Sequence, residues 1–349
     1  MSSLHEAPPA DAVLSVRDLR VWYGTARGAV RAVDGVSFDL RRGETLGLVG
    51  ESGCGKSTLG RGVLGLLPDA AKRKGSVLFE GQDLVTMPRR QLRALRGPKL
   101  GLIFQEPMTR LNPLMRVSDH FLETLRAHQP DLSKEQMRRR AIDTLGAMGI
   151  PPTRFENYPH EFSGGMRQRI MIALALVLNP AFVVADEPTT ALDVLVEAQI
   201  LTILADVKRS FDTSILLITH NLGIIAEACE RVAVMYAGRI AEQGDARAVF
   251  ARPAHPYTRE LLASTISLST TELHYIAGAP PDLVDPPSGC RFHPRCPDAM
   301  QVCPTRHPPT VVTELNQQVD CWLHGPDEEI PPGGTQPLER GEIALAEEA

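Results

Sequence analysis

Apolar and polar positions between residues 13 and 38 alternate in short stretches with breaks at Gly24 and Gly28, the pattern of half-buried β-strands joined by turns. A similar stretch covers residues 76–84 around the turn Glu80-Gly81-Gln82-Asp83, and together they predict a small antiparallel sheet. Residues 45–49 form a compact apolar strand, and residues 58–67 an amphipathic helix after it. From about 106 to 162 the period turns helical, with helices over 117–128 and 133–149, the second capped by Ser133 and stopped by Gly149. Residues 182–186, 194–211 and 214–219 then read strand, helix, strand, which requires parallel strands joined by a right-handed crossover. The pattern predicts an α/β fold with a mixed-sheet core, a small antiparallel β subdomain and a helical subdomain.

Past about residue 251 the periodicity fades, prolines become frequent and cysteines appear, so a boundary is expected there. Residues 1–12 and the acidic stretch 326–349 read as disordered ends. The 43% hydrophobic content is ample for a buried core. The longest apolar run, 170–178, is stopped by Asn179-Pro180 and falls well short of the roughly 20 residues a membrane span needs. No secretory h-region is visible near Met1, so the chain is expected to be soluble and cytoplasmic. A formal net charge of -5 argues against a broad nucleic-acid-binding face. The basic runs, Arg89-Arg90 to Arg96 and Arg138-Arg139-Arg140, read as solvated helix faces.

The chemistry begins at Gly50-Glu51-Ser52-Gly53-Cys54-Gly55-Lys56-Ser57, between the strand at 45–49 and the helix after it. Glycines let the backbone curl so that N–H groups point inward at phosphate, and the helix adds the positive end of its dipole. Lys56 then neutralises phosphate charge, and the Ser57 hydroxyl is a Mg²⁺ ligand. Phe182-Val183-Val184-Ala185-Asp186-Glu187 is an apolar strand ending in two carboxylates, suited to holding Mg²⁺ (Asp186) and activating water (Glu187). Ser163-Gly164-Gly165 opens a helix as a second anion-seeking tip. Gln105 and His220 each follow a predicted strand.

In this order the motifs resemble the ATP-binding cassette (ABC) family of P-loop NTPases: phosphate loop, glutamine loop (Gln105), S-G-G signature (163–168), hhhhDE strand, A-L-D loop (191–193) and switch histidine (His220). The resemblance implies an ATPase that binds ATP through residues Gly50 to Thr58, with Tyr23 stacking on adenine and neighbouring Trp22 as its rival. It implies Mg²⁺ at Ser57, Gln105 and Asp186, Glu187 as general base, and His220 at the γ-phosphate. It further implies head-to-tail pairing, in which Ser163, Gly164, Gly165 and Asp193 of one cassette meet the nucleotide of another. A cassette domain over 13–250, with its helical subdomain at about 106–162, follows.

Long heptad arms and a second cassette are both absent from the sequence, which favours a transporter over a repair, cohesion or translation ATPase. Asn112-Pro113, Met166, His255-Pro256-Tyr257-Thr258 and Gly289-Cys290-Arg291-Phe292-His293-Pro294-Arg295-Cys296-Pro297 resemble the dipeptide and oligopeptide permease branch, which also serves nickel, glutathione and some sugars. That branch implies a C-terminal domain over 251–325, a second cassette that is a paralogue in preference to a copy, two integral-membrane subunits and an extracytoplasmic solute-binding protein. The place of action is then the cytoplasmic face of the inner membrane. Cys54 stands where the branch usually has Ser, either as a reactive thiol or as a small filler. Cys290, Cys296, Cys303 and Cys321 contain no C-x2-C pair, so the spacing is not that of a zinc ribbon. Some members of the branch carry a [4Fe-4S] cluster at this place, the reading preferred here. Zinc is the runner-up, with His293, His307 or His324 as a substitute ligand, and packed thiols are the third alternative.

Overall fold

The computed structural model describes residues 8–104, 111–189, 197, 200, 202–206, 208, 212–264 and 274–338. Strands β1 (Ala12–Thr25) and β2 (Gly28–Arg41) form a long antiparallel hairpin. The chain then leaves this layer through β3 (Thr45–Val49) and helix α1 (Lys56–Val63), and returns as β4 (Ala71–Phe79) and β5 (Gln82–Asp83). The resulting order is β2-β1-β4-β5, the expected antiparallel sheet. β4 starts five residues earlier than its apolar pattern predicts, because Lys72, Arg73 and Lys74 pair with Trp22, Val21 and Arg20 of β1. Backbone pairing to a long neighbour overrides their weak strand propensity.

The second sheet has β3 near its centre. β6 (Leu100–Ile103), β7 (Phe182–Asp186), β8 (Ser214–Ile218), β9 (Arg231–Tyr236), β10 (Arg239–Asp245), β11 (Thr310–Val312) and β12 (Gln318–Asp320) complete it in the order β11-β12-β10-β9-β3-β8-β7-β6. β6, β7, β8, β3 and β9 are parallel, and β10 turns back antiparallel to β9. Every residue of β3, β7 and β8 is buried, which is why these strands read as unbroken apolar runs. Along β7, Phe182 and Val184 join one core while Val183 and Ala185 join the other, so the sheet separates two apolar layers.

One layer lies against α1 and the antiparallel sheet; α2 (Arg89–Leu95) contributes Leu92 to it. The other receives Phe121 and Leu125 of α3 (Val117–His128), Met137, Ala141 and Leu145 of α4 (Lys134–Ala147), and Ile172 of α5 (Gly164–Leu176). α4 begins as the sequence predicts: the Gln136 N–H donates to Ser133 Oγ at 3.2 Å, and the Ser133 N–H to Gln136 Oε1 at 2.8 Å. Gly149, at φ +71°, follows its end. The basic runs are only partly solvated. Arg96 donates to the carbonyls of Leu64 and Gly65 just past α1, and Arg140 to the carbonyl of Val177, so both satisfy backbone groups that helices leave open at their ends.

α6 (Leu222–Ala228) lies between β8 and β9, while α7 (Ala246–Ala251) and α8 (Pro256–Ala263) follow β10. The proline-rich chain beyond them returns to the main sheet, where β12 pairs with β10. It is anchored by few but large groups. Tyr236 and Tyr257 rings lie 4.5 Å apart by centroid, and Phe292 stands edge-on to both at 5.1 and 5.3 Å. Arg291 forms a buried ion pair with Asp34 of β2, and burial lowers its pKa to about 10. Among the described residues no helix is long and apolar enough to cross a membrane.

The cysteine reading is corrected by this packing. Among the described residues, no group of three or more His, Cys, Asp or Glu is arranged to hold a metal ion, so the iron-sulfur cluster preferred from the sequence, and zinc with it, is not supported at Cys290, Cys296, Cys303 and Cys321. Burial pushes Cys290 and Cys296 up to about 12 and raises Cys303 and Cys321 as well. Cys303 packs with Val302 and Trp322 in a small satellite core, and its sulfur accepts the Met300 N–H at 3.4 Å. His293, His307 and His324 each hydrogen-bond a backbone carbonyl through one ring nitrogen, those of Cys290, Pro308 and Ala254 at 2.8, 2.7 and 3.1 Å. Cys296, Cys303 and Cys321 are buried and Cys290 half-buried, all as free thiols.

Two buried histidines of this region predict acid lability. His255 Nδ1 accepts the Tyr257 N–H at 2.9 Å and so caps α8 in its neutral form. Burial lowers its pKa from 6.5 to about 3, and that of His307 from 6.5 to about 4. Below pH 6.5 the unfolded chain takes up protons that the folded one refuses, so stability falls with pH. Asp320, raised to about 6 by burial, works in the opposite sense. Glu242 and Asp186, whose carboxyls burial also raises, act in the same sense as Asp320 and offset part of the loss from the two imidazoles, and a net fall in stability from pH 6.5 to 5 is expected. Urea midpoints at the two pH values measure it, and equal midpoints would contradict the neutral buried state.

Candidate active site

The carboxyl ends of β3, β7 and β8 lie side by side in the parallel sheet, the usual ligand edge of such sheets. The phosphate-type loop starts at Gly50, immediately after β3, and ends at Gly55, the residue before α1. Glycine is needed there for two reasons. Gly50 and Gly55 have φ of +149° and +110°, and a Cβ would fall 2.1 Å from the Met235 carbonyl oxygen at Gly50 and 2.0 Å from that of Ala32 at Gly55. The loop is therefore wedged between β9 and β2. Ser52 and Gly53 stay exposed, with Glu51, Gly55, Ser57 and Thr58 partly so.

Lys56 is buried, and its ammonium donates to the carbonyls of Gly50 at 2.7 Å and Glu51 at 3.0 Å. Ser57 Oγ donates to Asp186 Oδ1 at 2.8 Å, which brings the loop and the end of β7 together. Burial raises the Asp186 pKa, against the Ser57 hydrogen bond and the Arg61 guanidinium 3.9 Å away. Cys54 is buried as well, and burial raises its thiol despite the nearby Lys56.

Glu187 has a positive φ of +47°, a strained conformation for a residue with a Cβ, and its N–H donates to the Ile218 carbonyl at 2.8 Å. Such strain at the end of a parallel strand is a mark of functional positions. His220, two residues past β8, places Nδ1 3.4 Å from Glu187 Oε1. Its side chain is 64% exposed, against 17% for Glu187. The two residues thus share one rim of the site.

Ser163 caps α5, accepting the Met166 N–H at 3.4 Å, and both it and Gly164 are exposed, with Gly165 half-buried. Tyr23 lies half-buried near the end of β1, opposite Val30 and Ala71, while Trp22 is covered by the Arg31 guanidinium at 6.0 Å. Gln105 and Asp193 lie outside the described residues. Gln168, placed by the sequence at the end of the S-G-G signature with no contact assigned, donates from Nε2 to the Pro188 carbonyl at 2.5 Å and ties that helix to the segment after Glu187. Sequence reasoning missed Tyr257 and Arg295, which touch the phosphate loop from the C-terminal region. Spacing carries no signal for contacts between residues so far apart.

A triphosphate with Mg²⁺ fits these residues: a glycine curl that no Cβ could enter, a buried ammonium inside it, and a hydroxyl and carboxylate as hard oxygen ligands. The family description "ABC transporter" matches residues 33–190, and "Oligopeptide/dipeptide transporter, C-terminal region" matches residues 241–303. The dipeptide transport ATP-binding protein DppD of Bacillus subtilis is 47% identical over 317 residues, covering 89% of this chain and 94% of that protein. The chain belongs to the ABC transporter family. The oligopeptide transport ATP-binding protein OppD of Salmonella typhimurium is 48% identical over 303 residues, covering 85% of this chain and 90% of its own. Among solved structures, the dimeric ABC transporter cassette MJ0796 aligns with a TM-score of 0.61 at 25% identity, covering 67% of this chain and 99% of that one. The cbiO1 structure from Clostridium perfringens aligns with a TM-score of 0.61 at 30% identity over 69% and 92% of the two chains. As an ABC ATP-binding subunit the chain is an ATPase that works with ATP and Mg²⁺.

Proposed function

We propose that this chain is the ATP-hydrolysing subunit of an importer for di- and oligopeptides. The observation that carries the reading is the Glu187–His220 pair, 3.4 Å apart beside a glycine phosphate loop, in a chain whose 241–303 region matches the peptide-transporter C-terminal description. Peptide uptake is favoured over nickel, glutathione or oligosaccharide because the similar proteins are named for dipeptide and oligopeptide transport. A soluble ATPase acting on nucleic acid is disfavoured by the acidic balance and by these same relatives.

The roles proposed are those the family resemblance implies, and the contacts of Lys56, Ser57, Asp186, Glu187 and His220 support them. N–H groups of the 50–58 loop other than that of Glu51, which Tyr257 holds, and the Lys56 ammonium hold the phosphates, and Tyr23 packs on the adenine. Ser57, Asp186 and Gln105 would supply oxygen ligands for Mg²⁺, which would neutralise phosphate charge during hydrolysis. Glu187 orients water and takes its proton, and His220 holds the γ-phosphate side of the pair. The exposed Ser163-Gly164-Gly165 tip and Asp193 act in trans, on the nucleotide of a second cassette, for which a paralogue is preferred to a copy. Residues 13–250 form the cassette and 251–325 its extension. Two membrane subunits and an extracytoplasmic solute-binding protein complete the machine, with the chain peripheral on the cytoplasmic face of the inner membrane. Purifying the chain from membranes and identifying what comes with it tests this reading. Two polytopic subunits and a second cassette are expected; DNA-stimulated hydrolysis with no membrane protein attached would overturn it.

A further inference from the structure

Behind the phosphate loop lies an ion pair that the proposed chemistry does not use. Arg295 Nη1 meets Glu51 Oε2 at 2.7 Å and Nη2 meets Oε1 at 3.0 Å, a bidentate contact between residues 244 positions apart. The Arg295 side chain is 6% exposed. Its fork is fixed by further hydrogen bonds, to the Tyr236 hydroxyl at 3.2 Å and to the carbonyls of Ala277 at 2.8 Å and Ile276 at 3.3 Å. Glu51 is also held by its backbone, since its N–H donates to the hydroxyl of the fully buried Tyr257 at 2.9 Å. The Glu51 carbonyl in turn accepts the Lys56 ammonium. A residue from the C-terminal region is thus linked through one loop residue to the phosphate-binding lysine.

The same C-terminal segment reaches the other end of the site. Arg31 N–H donates to the Leu283 carbonyl at 2.8 Å, Arg27 pairs with Asp282 at 2.6 Å, and Val284 packs so close to Gly28 that a Cβ there would meet it at 3.0 Å. These contacts lie at the tip of the β1–β2 hairpin, next to Tyr23. Residues 276–295 therefore run from the phosphate loop to the adenine side of the site.

We propose that Arg295 is a positioning residue for ATP. Through Glu51 it holds the phosphate loop in its binding curl, and the segment it anchors fixes that loop relative to the Tyr23 hairpin. A loop so rich in glycine loses much freedom on binding phosphate, and a buried, bidentate ion pair lowers that loss by ordering the loop beforehand. Its removal weakens ATP binding and leaves the Glu187–His220 chemistry in place.

The inference rests on the ATPase reading, and the experiment separates the two. In the full chain assembled with its membrane subunits, Arg295→Ala is expected to raise the KM for ATP about tenfold with kcat within about twofold, the change expected for one lost charge-assisted contact. Glu51→Ala gives the same shift, and the double variant no more than either single, because both act through one pair. Arg295→Lys, which keeps the charge but not the fork, raises KM about threefold and carries the test where Arg295→Ala does not fold. An unchanged KM in the folded variants, additive shifts, or a fall in kcat at constant KM overturns the proposal. Glu187→Gln is measured alongside: normal hydrolysis there defeats the ATPase reading itself, whereas an inactive Glu187→Gln with a wild-type KM in Arg295→Ala defeats only the positioning role.

Discussion

Glu187→Gln binds ATP as the wild type does and hydrolyses it about 10²- to 10⁴-fold more slowly, a barrier higher by roughly 3 to 5 kcal/mol. The amide keeps the size of the side chain but cannot take a proton from water. The binding elements lie elsewhere, in the loop from Gly50 to Gly55 and in Lys56, so affinity is retained. The substitution also leaves the backbone as it was, because the positive φ at Glu187 and its N–H bond to Ile218 do not depend on the carboxylate. Single-turnover hydrolysis and nucleotide-binding titrations read the two quantities separately. Hydrolysis within tenfold of wild type would show that another group activates the water.

Gly55→Ala removes nucleotide binding altogether and destabilises the fold. The added methyl would fall 2.0 Å from the Ala32 carbonyl oxygen and 2.9 Å from the end of Met235, at a φ of +110° that L side chains rarely adopt. Strained backbone costs about 1 to 3 kcal/mol and forced overpacking a similar amount, so a total of about 2 to 6 kcal/mol is expected. Relief requires the loop to move off β2, and the curl around Lys56 is lost with it. Gly53→Ala is the control: no atom lies within 4 Å of its Cβ position, so only the φ of +79° resists and the loss is smaller. Thermal unfolding and ATP titration of the two variants check the ranking. Equal effects would mean that the close approach to Ala32 does not constrain the loop.

Much of this site was legible in the sequence because its chemistry is local. Gly50 to Ser57 is a continuous stretch whose strand and helix neighbours were both readable, and Asp186-Glu187 ends a strand buried on both faces. That Ser57 meets Asp186 and His220 meets Glu187 was not legible from chain order, because the sheet places β8 between β3 and β7; only the family resemblance implied that these residues share a site. The C-terminal region was far less legible. Its order comes from three aromatic rings, buried arginines and two short strands added to β10, none of which leaves a periodic trace. The cysteines misled for a related reason, since spacing reports neither burial nor what fills the space around each sulfur. Arg96 and Arg140 were read as solvated because a run of charges looks the same whether or not its guanidiniums reach carbonyls at helix ends.

Coupled transport is the most direct measurement of the central claim. In liposomes holding the chain with its membrane subunits, second cassette and solute-binding protein, labelled peptide should accumulate only with Mg·ATP inside the cytoplasmic face. Peptide-loaded binding protein should stimulate hydrolysis, and Glu187→Gln should abolish both uptake and stimulation. Hydrolysis that proceeds at the same rate with or without loaded binding protein, and no peptide uptake, would contradict the account.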